Sequence, residues 1–299
     1  MLLFLLFACK PPPPAPEGLN EVTSYMVREF YSDDATFEAG IQGFMNWYIE
    51  EGYEKVGMET SADNTDTFSL DDLQQADIDY LPLENDGRDL TRAKGVISLE
   101  EMACSWKESE AYLLRKDQDS VFSDDWENYE RTYLGDRATF EKASENEEFA
   151  NISETLDPFS ESFDHAEWSE SVMMTLNQVD PAPLLGIDIP AYEMHLDFRH
   201  GVYSVNDEEL GVSAIITYST AGVYDESGNN GLAQSYSIEL NIERKDNTTL
   251  RTLAVWAEPV SSIIEPDSPL SLNYAVTKSA NSSKRISEIC SGEIEIDSE

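Results

Sequence analysis

The sequence predicts an α+β fold, in which an N-terminal helical hairpin packs on a body with a C-terminal antiparallel β-sheet. Apolar residues recur every three to four positions in residues 19–48, whereas they alternate with polar residues in much of the chain after residue 170. The first period is that of an amphipathic helix, and the second is that of a strand with one apolar face. Helices followed by a run of strands favour an α+β arrangement. We therefore expect one domain over residues 18–299, with a helical part at 18–150 and a β-rich part at 170–299.

Two helices form the predicted hairpin. Residues 19–31 carry apolar side chains at helical spacing, and a second apolar series runs through residues 37–48. Asp33 and Asp34 separate the two series, and aspartate is a preferred N-cap residue because its carboxylate accepts hydrogen bonds from free backbone amides. Since both helices have one apolar face, we expect the hairpin to pack on the rest of the body.

The middle of the chain is predicted to combine irregular segments with short elements. Residues 59–92 are polar and rich in Asp, Asn and Thr, which is typical of loops. A strand is expected over residues 93–99. Ser105 and Glu108 then form a capping box that opens a helix, and a further helix is predicted around residues 137–143.

A strand with alternating residues is predicted at positions 194–199. Its polar members are His195, Asp197 and Arg199, which we expect on the solvent-facing side, with His200 on the opposite side. A histidine beside an aspartate can serve as a general base. This pair therefore allows a hydrolase, provided that a serine or a bound water lies within reach of His195 in a cleft.

The C-terminal region is predicted to continue the sheet. Residues 236–243 and 250–256 alternate apolar with polar residues, and a turn at residues 246–247 makes them a hairpin. The alternation of Leu and other apolar residues at 270–276 predicts another strand. Residues 283–290 are expected to form a short closing helix.

One stretch resembles a known fold family. Residues 95–98, the helix that begins near Trp106, and the segment 126–130 resemble the opening of START-like helix-grip domains. That resemblance implies an antiparallel sheet wrapped around a long helix, and it implies an apolar ligand held between them.

The first residues resemble the leader of a bacterial lipoprotein. An apolar run ends in Leu6-Phe7-Ala8-Cys9, which is similar to a lipobox, although Phe7 is bulkier than usual and no Lys or Arg precedes the run. The resemblance implies a signal peptide at 1–8 and an acylated (palmitate-bearing) Cys9. Residues 9–17 form a proline-rich tether, which prefers an extended conformation. Lys10 favours the outer membrane, and the body resembles uncharacterised acidic lipoproteins of myxobacterium-like bacteria, which bring no known activity.

Charge restricts the possible partners. The formal net charge is −41, from 60 acidic and 19 basic residues. This excludes nucleic acid as a partner and disfavours direct adhesion to an anionic lipid surface. The acidic clusters at residues 63–66 and 117–119 do not continue into a calcium-binding loop, so we predict neither a metal nor a cofactor.

Three cysteines are present. If Cys9 carries lipid, Cys104 and Cys290 remain as an even pair in an oxidising compartment, where a disulfide is plausible. The alternative is two separate buried thiols.

The sequence favours a non-enzymatic envelope lipoprotein, attached to the membrane by its N-terminal lipid, with a structural or binding role. Its possible partners are an apolar small molecule or an envelope protein. The first alternative is a module that binds an apolar small molecule in a helix-grip-like cavity. The second is an envelope hydrolase that uses His195 with Asp197.

Overall fold

A computed structural model describes residues 14–53, 66–84, 87–135, 172–182, 189–244, 247–261 and 269–296. Cys9, the predicted signal peptide and the start of the tether lie outside the described residues, as does the helix predicted around residues 137–143.

The described helices and strands are as follows. The helices are α1 (Leu19–Arg28), α2 (Asp34–Glu50), α3 (Gln75–Ile78), α4 (Trp106–Leu114), α5 (Gln118–Val121) and α6 (Pro269–Cys290), with a 3₁₀ turn at Leu90–Arg92. The strands are β1 (Asp66–Leu70), β2 (Lys94–Met102), β3 (Trp126–Gly135), β4 (Met174–Pro181), β5 (Tyr192–Val205), β6 (Glu208–Ser219), β7 (Val223–Tyr224), β8 (Gly231–Glu243) and β9 (Thr249–Val260).

All nine strands form one antiparallel sheet, which confirms the predicted α+β class. Its order is β1-β2-β9-β8-β6-β5-β4-β3, and β7 pairs with β8. Three of these strands come from residues 18–150, which we predicted as mainly helical. They join the sheet at its two ends, because β2 pairs with β9 and β3 pairs with β4. Such distant pairings leave no trace in local periodicity.

The predicted helical hairpin is confirmed, and it covers one face of the sheet. Asp33 caps α2, since its side chain accepts a hydrogen bond of 3.0 Å from the amide of Thr36. Fully buried residues of both helices, among them Met26 and Phe44, share a core with Tyr236 and Trp256 of the sheet. Burial of this apolar surface supplies most of the stability of the hairpin, as in other amphipathic helices.

Helices α4 and α6 cover the opposite face, so the sheet is enclosed between two layers of helices. The predicted capping box of α4 is confirmed: the Ser105 hydroxyl accepts from the Glu108 amide, and the Glu108 carboxylate accepts from the Ser105 amide. Both helices contact the central strands through named side chains. The interior strands therefore have helices packed on both of their faces.

Helix α6 runs along β2, and three serines at four-residue spacing allow its close approach. Ser279 lies at Ser98, Ser283 lies at Glu100, and the Ser287 hydroxyl accepts from the amide of Ala103. Four helical residues advance about 6 Å, and two strand residues advance about 6.6 Å. The helix therefore keeps pace with the strand.

The prediction of a strand at residues 270–276 is wrong, because this segment belongs to the first half of α6, a helix of 22 residues. A short alternating apolar run fits a strand and a buried helix equally well, and length decides between them. Among the described helices, α6 included, none combines the length and the apolar composition that crossing a bilayer requires.

Candidate ligand-binding face of the sheet

His195, Asp197 and Arg199 do not face solvent, so that part of the prediction is wrong. They lie on the side of β5 that packs under the α1–α2 hairpin, and their exposed fractions are 4%, 0% and 4%. The Asp197 carboxylate accepts from the Tyr31 hydroxyl and, at 3.0 Å, from the Thr175 amide. Because both side chains are buried under the hairpin, the accessible cleft at His195 that the hydrolase hypothesis requires is not met by the described residues.

Arg199 joins the α1–α2 turn to the sheet. Its guanidinium donates to the carbonyls of Phe30 and Ser32, both at 2.8 Å, and to the Asp34 carboxylate at 2.6 Å. It also lies over the ring of Phe37, 4.4 Å from the ring centroid. The polar residues of this strand face therefore hold the hairpin in place.

Burial of His195 is expected to make the stability of the fold sensitive to acid. Its ring stacks on Tyr218, and burial lowers its pKa from 6.5 to about 4. Because the folded-state pKa is lowered, the neutral ring contributes stability above pH 6.5 that is lost as the pH falls from there to about 4. His195→Phe, which keeps an aromatic ring on Tyr218, should remove about 3 kcal/mol of this pH-dependent loss. Denaturant unfolding of the variant and the parent across this pH range checks it, and identical acid limbs would contradict it.

The opposite face of the sheet, toward α4 and α6, is organised in rows of cross-strand partners. Side chains two residues apart on a strand share a face, and Ser98 and Glu100 of β2 contact α6, so this face includes Val96. The register extends each of these positions across β2, β9, β8, β6 and β5. All five strands are interior to the sheet.

The first row is partly exposed along its whole length, and we call it the floor row. Its members are Val96, Val255, Ser237, Thr217 and Leu196, in order from β2 to β5. Interior strands under a layer of helices are normally buried on that face. Five side chains in register on interior strands are therefore only partly covered by the described residues, although Leu196 also packs against the two hydrophobic clusters that contain Phe198 and Val179.

A second row lies four residues further along each strand, and we call it the polar row. Its members are Glu100, Arg251, Asn241, Ser213 and His200. The first four are at most 4% exposed. Five polar side chains in register across the interior of a protein are unusual, because buried polar groups cost free energy unless they are paired.

Arg251 organises one half of the polar row. Its guanidinium binds the Glu239 carboxylate at 2.9 and 2.8 Å, and it donates to the Ser279 carbonyl at 3.0 Å and the Ser283 hydroxyl at 2.7 Å. Glu100 lies 3.6 Å away and accepts from Ser283. Burial alone lowers the pKa of the guanidinium, but the carboxylates of Glu239 and Glu100 raise it well above its usual value.

A histidine–glutamate pair closes the other half. The Nδ1 atom of His200 lies 2.9 Å from Glu110 Oε2, and the ring of Trp106 stands edge-on to His200. Gly211 permits this arrangement, since a Cβ there would lie 2.1 Å from Trp106 Nε1. Ser213 is the cross-strand partner of His200, but it is 0% exposed. A substrate therefore cannot reach its hydroxyl in this conformation.

Four buried polar atoms of the polar row and of Glu110 have no hydrogen-bond partner in the described part of the chain. They are Glu100 Oε1, Asn241 Oδ1, Ser213 Oγ and Glu110 Oε1. Leaving a buried polar atom unpaired costs about 1–3 kcal/mol. Packing alone does not explain such a row, since apolar residues at the same positions would avoid this cost.

Cys104 and Cys290 lie side by side at the end of α6. Their Cα atoms are 5.6 Å apart, within the range of roughly 4.4–6.8 Å found for disulfides. The pairing of these cysteines remains a prediction that chemistry must test.

A polar cleft of about 420 Å³ lies at another edge of the described structure, lined by Arg88, Arg92, Gln234 and Glu258 among others. Its polar groups are paired with each other: Arg92 binds Glu258 at 2.7 Å, and Gln234 donates to Glu258 at 2.8 Å. No cluster of His, Cys, Asp and Glu suited to a metal ion occurs within the described ranges.

Sequence reasoning missed Glu100, Arg251 and Asn241 as a group. Asn241 and Glu239 were expected on the polar side of their strand, and that alternation is correct, but this side faces helices. The one available signal was Arg251, a basic residue inside an apolar strand of a chain that has only 19 Lys and Arg.

Comparison with known proteins adds little. No known protein family matches the chain, and no curated protein does. Among solved structures, the chain is similar to the human StarD13 (DLC2) lipid transfer and protein localization domain, with a TM-score of 0.43 and 11% identity. The similarity covers 81% of this chain and 96% of that domain. Similarity at this level establishes neither a family nor a function.

Proposed function

We propose that the chain is a non-enzymatic binding module for an apolar small molecule, which lies on the floor row beside α6. The observation that carries this proposal is the partial exposure of five in-register side chains on interior strands. Ligand sites are typically concave, mostly apolar and supplied with a few polar groups. The floor row has this composition.

The side chains of the floor row suit a narrow apolar ligand. Val96, Val255 and Leu196 offer apolar contact at both ends, whereas Ser237 and Thr217, in the middle of the row, have small side chains. Their hydroxyl groups can donate or accept a hydrogen bond. The middle strands are therefore the place where a bulky substitution should interfere most.

Ser237→Phe is expected to place a bulky ring in the middle of the floor row and weaken binding. A misfit of about 1–3 kcal/mol, as in overpacked cores, corresponds to a loss of affinity of about fivefold to about a hundredfold. Titration of the protein with the neutral dye Nile red, followed by fluorescence, measures this affinity directly.

Ser204→Phe is the matched control, because Ser204 is exposed on β5, eight residues beyond Leu196. It should bind Nile red as the parent does. Weak binding by the parent, or equal binding by parent and Ser237→Phe when both are folded by circular dichroism, would overturn the proposal.

We also propose that acylated Cys9 holds this module at a membrane, as the lipobox-like run and the proline-rich tether suggest. Pro16 already packs on α2, since a Cβ at Gly43 would lie 2.6 Å from the Pro16 carbonyl oxygen. The remaining tether is short, so the body would stay close to the bilayer.

Cys9→Ser is expected to move the protein from the membrane fraction to the soluble fraction of the producing bacterium, because the thioether to the lipid can no longer form. Mass spectrometry of the parent should show an acylated N-terminal peptide beginning at Cys9. Continued membrane attachment of the variant would contradict the proposal.

A further inference from the structure

The polar cleft of about 420 Å³ lies on the face of the sheet opposite the floor row. Gln234 and Glu258, which line it, are cross-strand partners on β8 and β9. Each lies two residues from a member of the core under the α1–α2 hairpin, namely Tyr236 and Trp256. Side chains two residues apart share a face of a strand, and Ser237 of the floor row has the other parity. The cleft is therefore a separate site.

Tyr224 brings an exposed aromatic ring to this cleft. Its exposed fraction is 50%, and it is one of three large apolar residues that are exposed in the described part of the chain. The ring lies against the backbone of Gly222, since a Cβ there would lie 3.0 Å from the Tyr224 hydroxyl oxygen. Ala221 and Ala233, which also line the cleft, have small side chains. Much of the ring surface is therefore left for a ligand to cover.

The turn that follows Tyr224 holds its strand in place. The Asp225 carboxylate accepts from the Ser227 hydroxyl at 2.8 Å and from the Asn230 side chain at 2.9 Å. Strand β7 also pairs closely with β8, because a Cβ at Gly231 would lie 2.0 Å from a carbonyl oxygen of β7. An aromatic group fixed in this way loses little conformational entropy when a ligand binds.

Three planar polar side chains line the same cleft and are joined by hydrogen bonds. Glu258 binds Arg92 at 2.7 Å and accepts from Gln234 at 2.8 Å, and Gln234 also donates to the Asp89 carbonyl at 2.8 Å. A guanidinium has five N–H donors, and each carboxylate oxygen has two lone pairs. Arg92, whose side chain is 63% exposed, and Glu258 therefore keep hydrogen-bonding capacity after they bind each other.

The charge of the cleft favours a neutral ligand. Arg88 and Arg92 are balanced by three acidic residues of the lining, Glu84, Asp89 and Glu258, and the net charge of −41 on the whole chain repels anions. A donor next to an acceptor suits a hydroxyl group, which donates and accepts at once. The C–H face of a sugar ring packs on an aromatic ring, because the face of that ring is partially negative.

We propose that the polar cleft binds a neutral saccharide, with its sugar ring on Tyr224 and two adjacent hydroxyl groups at Arg92 and Glu258. The volume of about 420 Å³ is in the size range of small-molecule sites. An apolar chain in the same place would leave the polar groups without partners, which costs free energy. The proposal does not depend on a ligand at the floor row.

Saturation-transfer NMR of the protein with the methyl glycosides of glucose, galactose, mannose and N-acetylglucosamine tests the proposal. At least one glycoside should receive saturation, and its titration gives a Kd. Tyr224→Ala should weaken that binding about tenfold, because the aromatic contact is lost. Tyr224→Phe keeps the ring and should stay within about twofold of the parent. Absence of saturation transfer to all four glycosides would overturn the inference.

Arg92→Gln tests the polar half of the site. The amide can still donate to Glu258, but the guanidinium donors to the ligand are lost, so binding should weaken about fivefold. Lys284→Gln is the matched control, because Lys284 is 62% exposed and pairs with Glu288 on α6. It should bind as the parent does. Unchanged affinity in folded Arg92→Gln and Tyr224→Ala would mean that the sugar binds elsewhere, which would also overturn the inference.

The two proposed sites can fail independently. Tyr224→Ala should leave the affinity for Nile red unchanged, and Ser237→Phe should leave the affinity for the glycoside unchanged, because the two sites lie on opposite faces of the sheet. Loss of glycoside binding in Ser237→Phe that is folded by circular dichroism would contradict the assignment of the sugar to the polar cleft.

Discussion

Replacing Arg251 with methionine is expected to lower the free energy of unfolding by about 3–5 kcal/mol, the usual effect of breaking a buried ion pair. The substitution leaves Glu239 and Glu100 buried without their cation, and it removes the donor to the Ser279 carbonyl and the Ser283 hydroxyl. Both the centre of the sheet and the contact with α6 should weaken. Urea unfolding followed by tryptophan fluorescence measures the change.

Lys284→Met provides the control on the same helix. Lys284 is 62% exposed and pairs with Glu288 one turn away, so its loss should cost at most about 0.5 kcal/mol. Adding Glu239→Met to Arg251→Met should restore part of the lost stability, because it removes one of the two uncompensated carboxylates. A cost for Arg251→Met as small as that of Lys284→Met would show that the cluster does not stabilise the fold.

Removing the predicted disulfide between Cys104 and Cys290 should lower the free energy of unfolding by a comparable amount. The two residues are separated by 186 positions, and loop-entropy arguments assign about 4–5 kcal/mol to disulfides that close such long loops. Cys104→Ser with Cys290→Ser should therefore lower the free energy of unfolding by an amount of this order. The same loss should follow when the parent is reduced.

The reductant distinguishes a disulfide from two packed thiols. It should destabilise the parent and leave the double variant unchanged, and non-reducing peptide mapping should recover one linked peptide from the parent. Two separate peptides, together with equal stability of the parent with and without reductant, would contradict the pairing.

Local patterns were sufficient where the determining contacts are local. Asp33 caps α2, Ser105 and Glu108 form the capping box of α4, and strands β8 and β9 pair as the alternation on each side of residues 246–247 predicts. Caps and hairpins involve residues a few positions apart, and their free energies depend little on the rest of the fold. The same holds for the succession of helix and strand periods that predicted an α+β protein.

The sequence patterns gave the wrong exposure where both faces of a strand are covered by other elements. The alternation in β5 is real, but His195, Asp197 and Arg199 face the hairpin, and the apolar residues between them face the second layer of helices. A period of two separates the faces of a strand without saying what covers each face. The apolar run at residues 270–276 was assigned to a strand for a different reason: it is too short for its period to distinguish a strand from part of a helix.

The sequence by itself determined the acidic character of the protein and the change from helical to strand periodicity along the chain, whereas the fold brings Cys104 and Cys290 together. The tertiary structure alone decided which polar residues are buried together. Glu100, Asn241, Arg251, Ser213 and His200 come from five strands spread over residues 94–260, and only the register of the sheet places them in one row beside the partly exposed floor row. Cross-strand pairing depends on contacts between residues far apart in the chain, which no local period encodes.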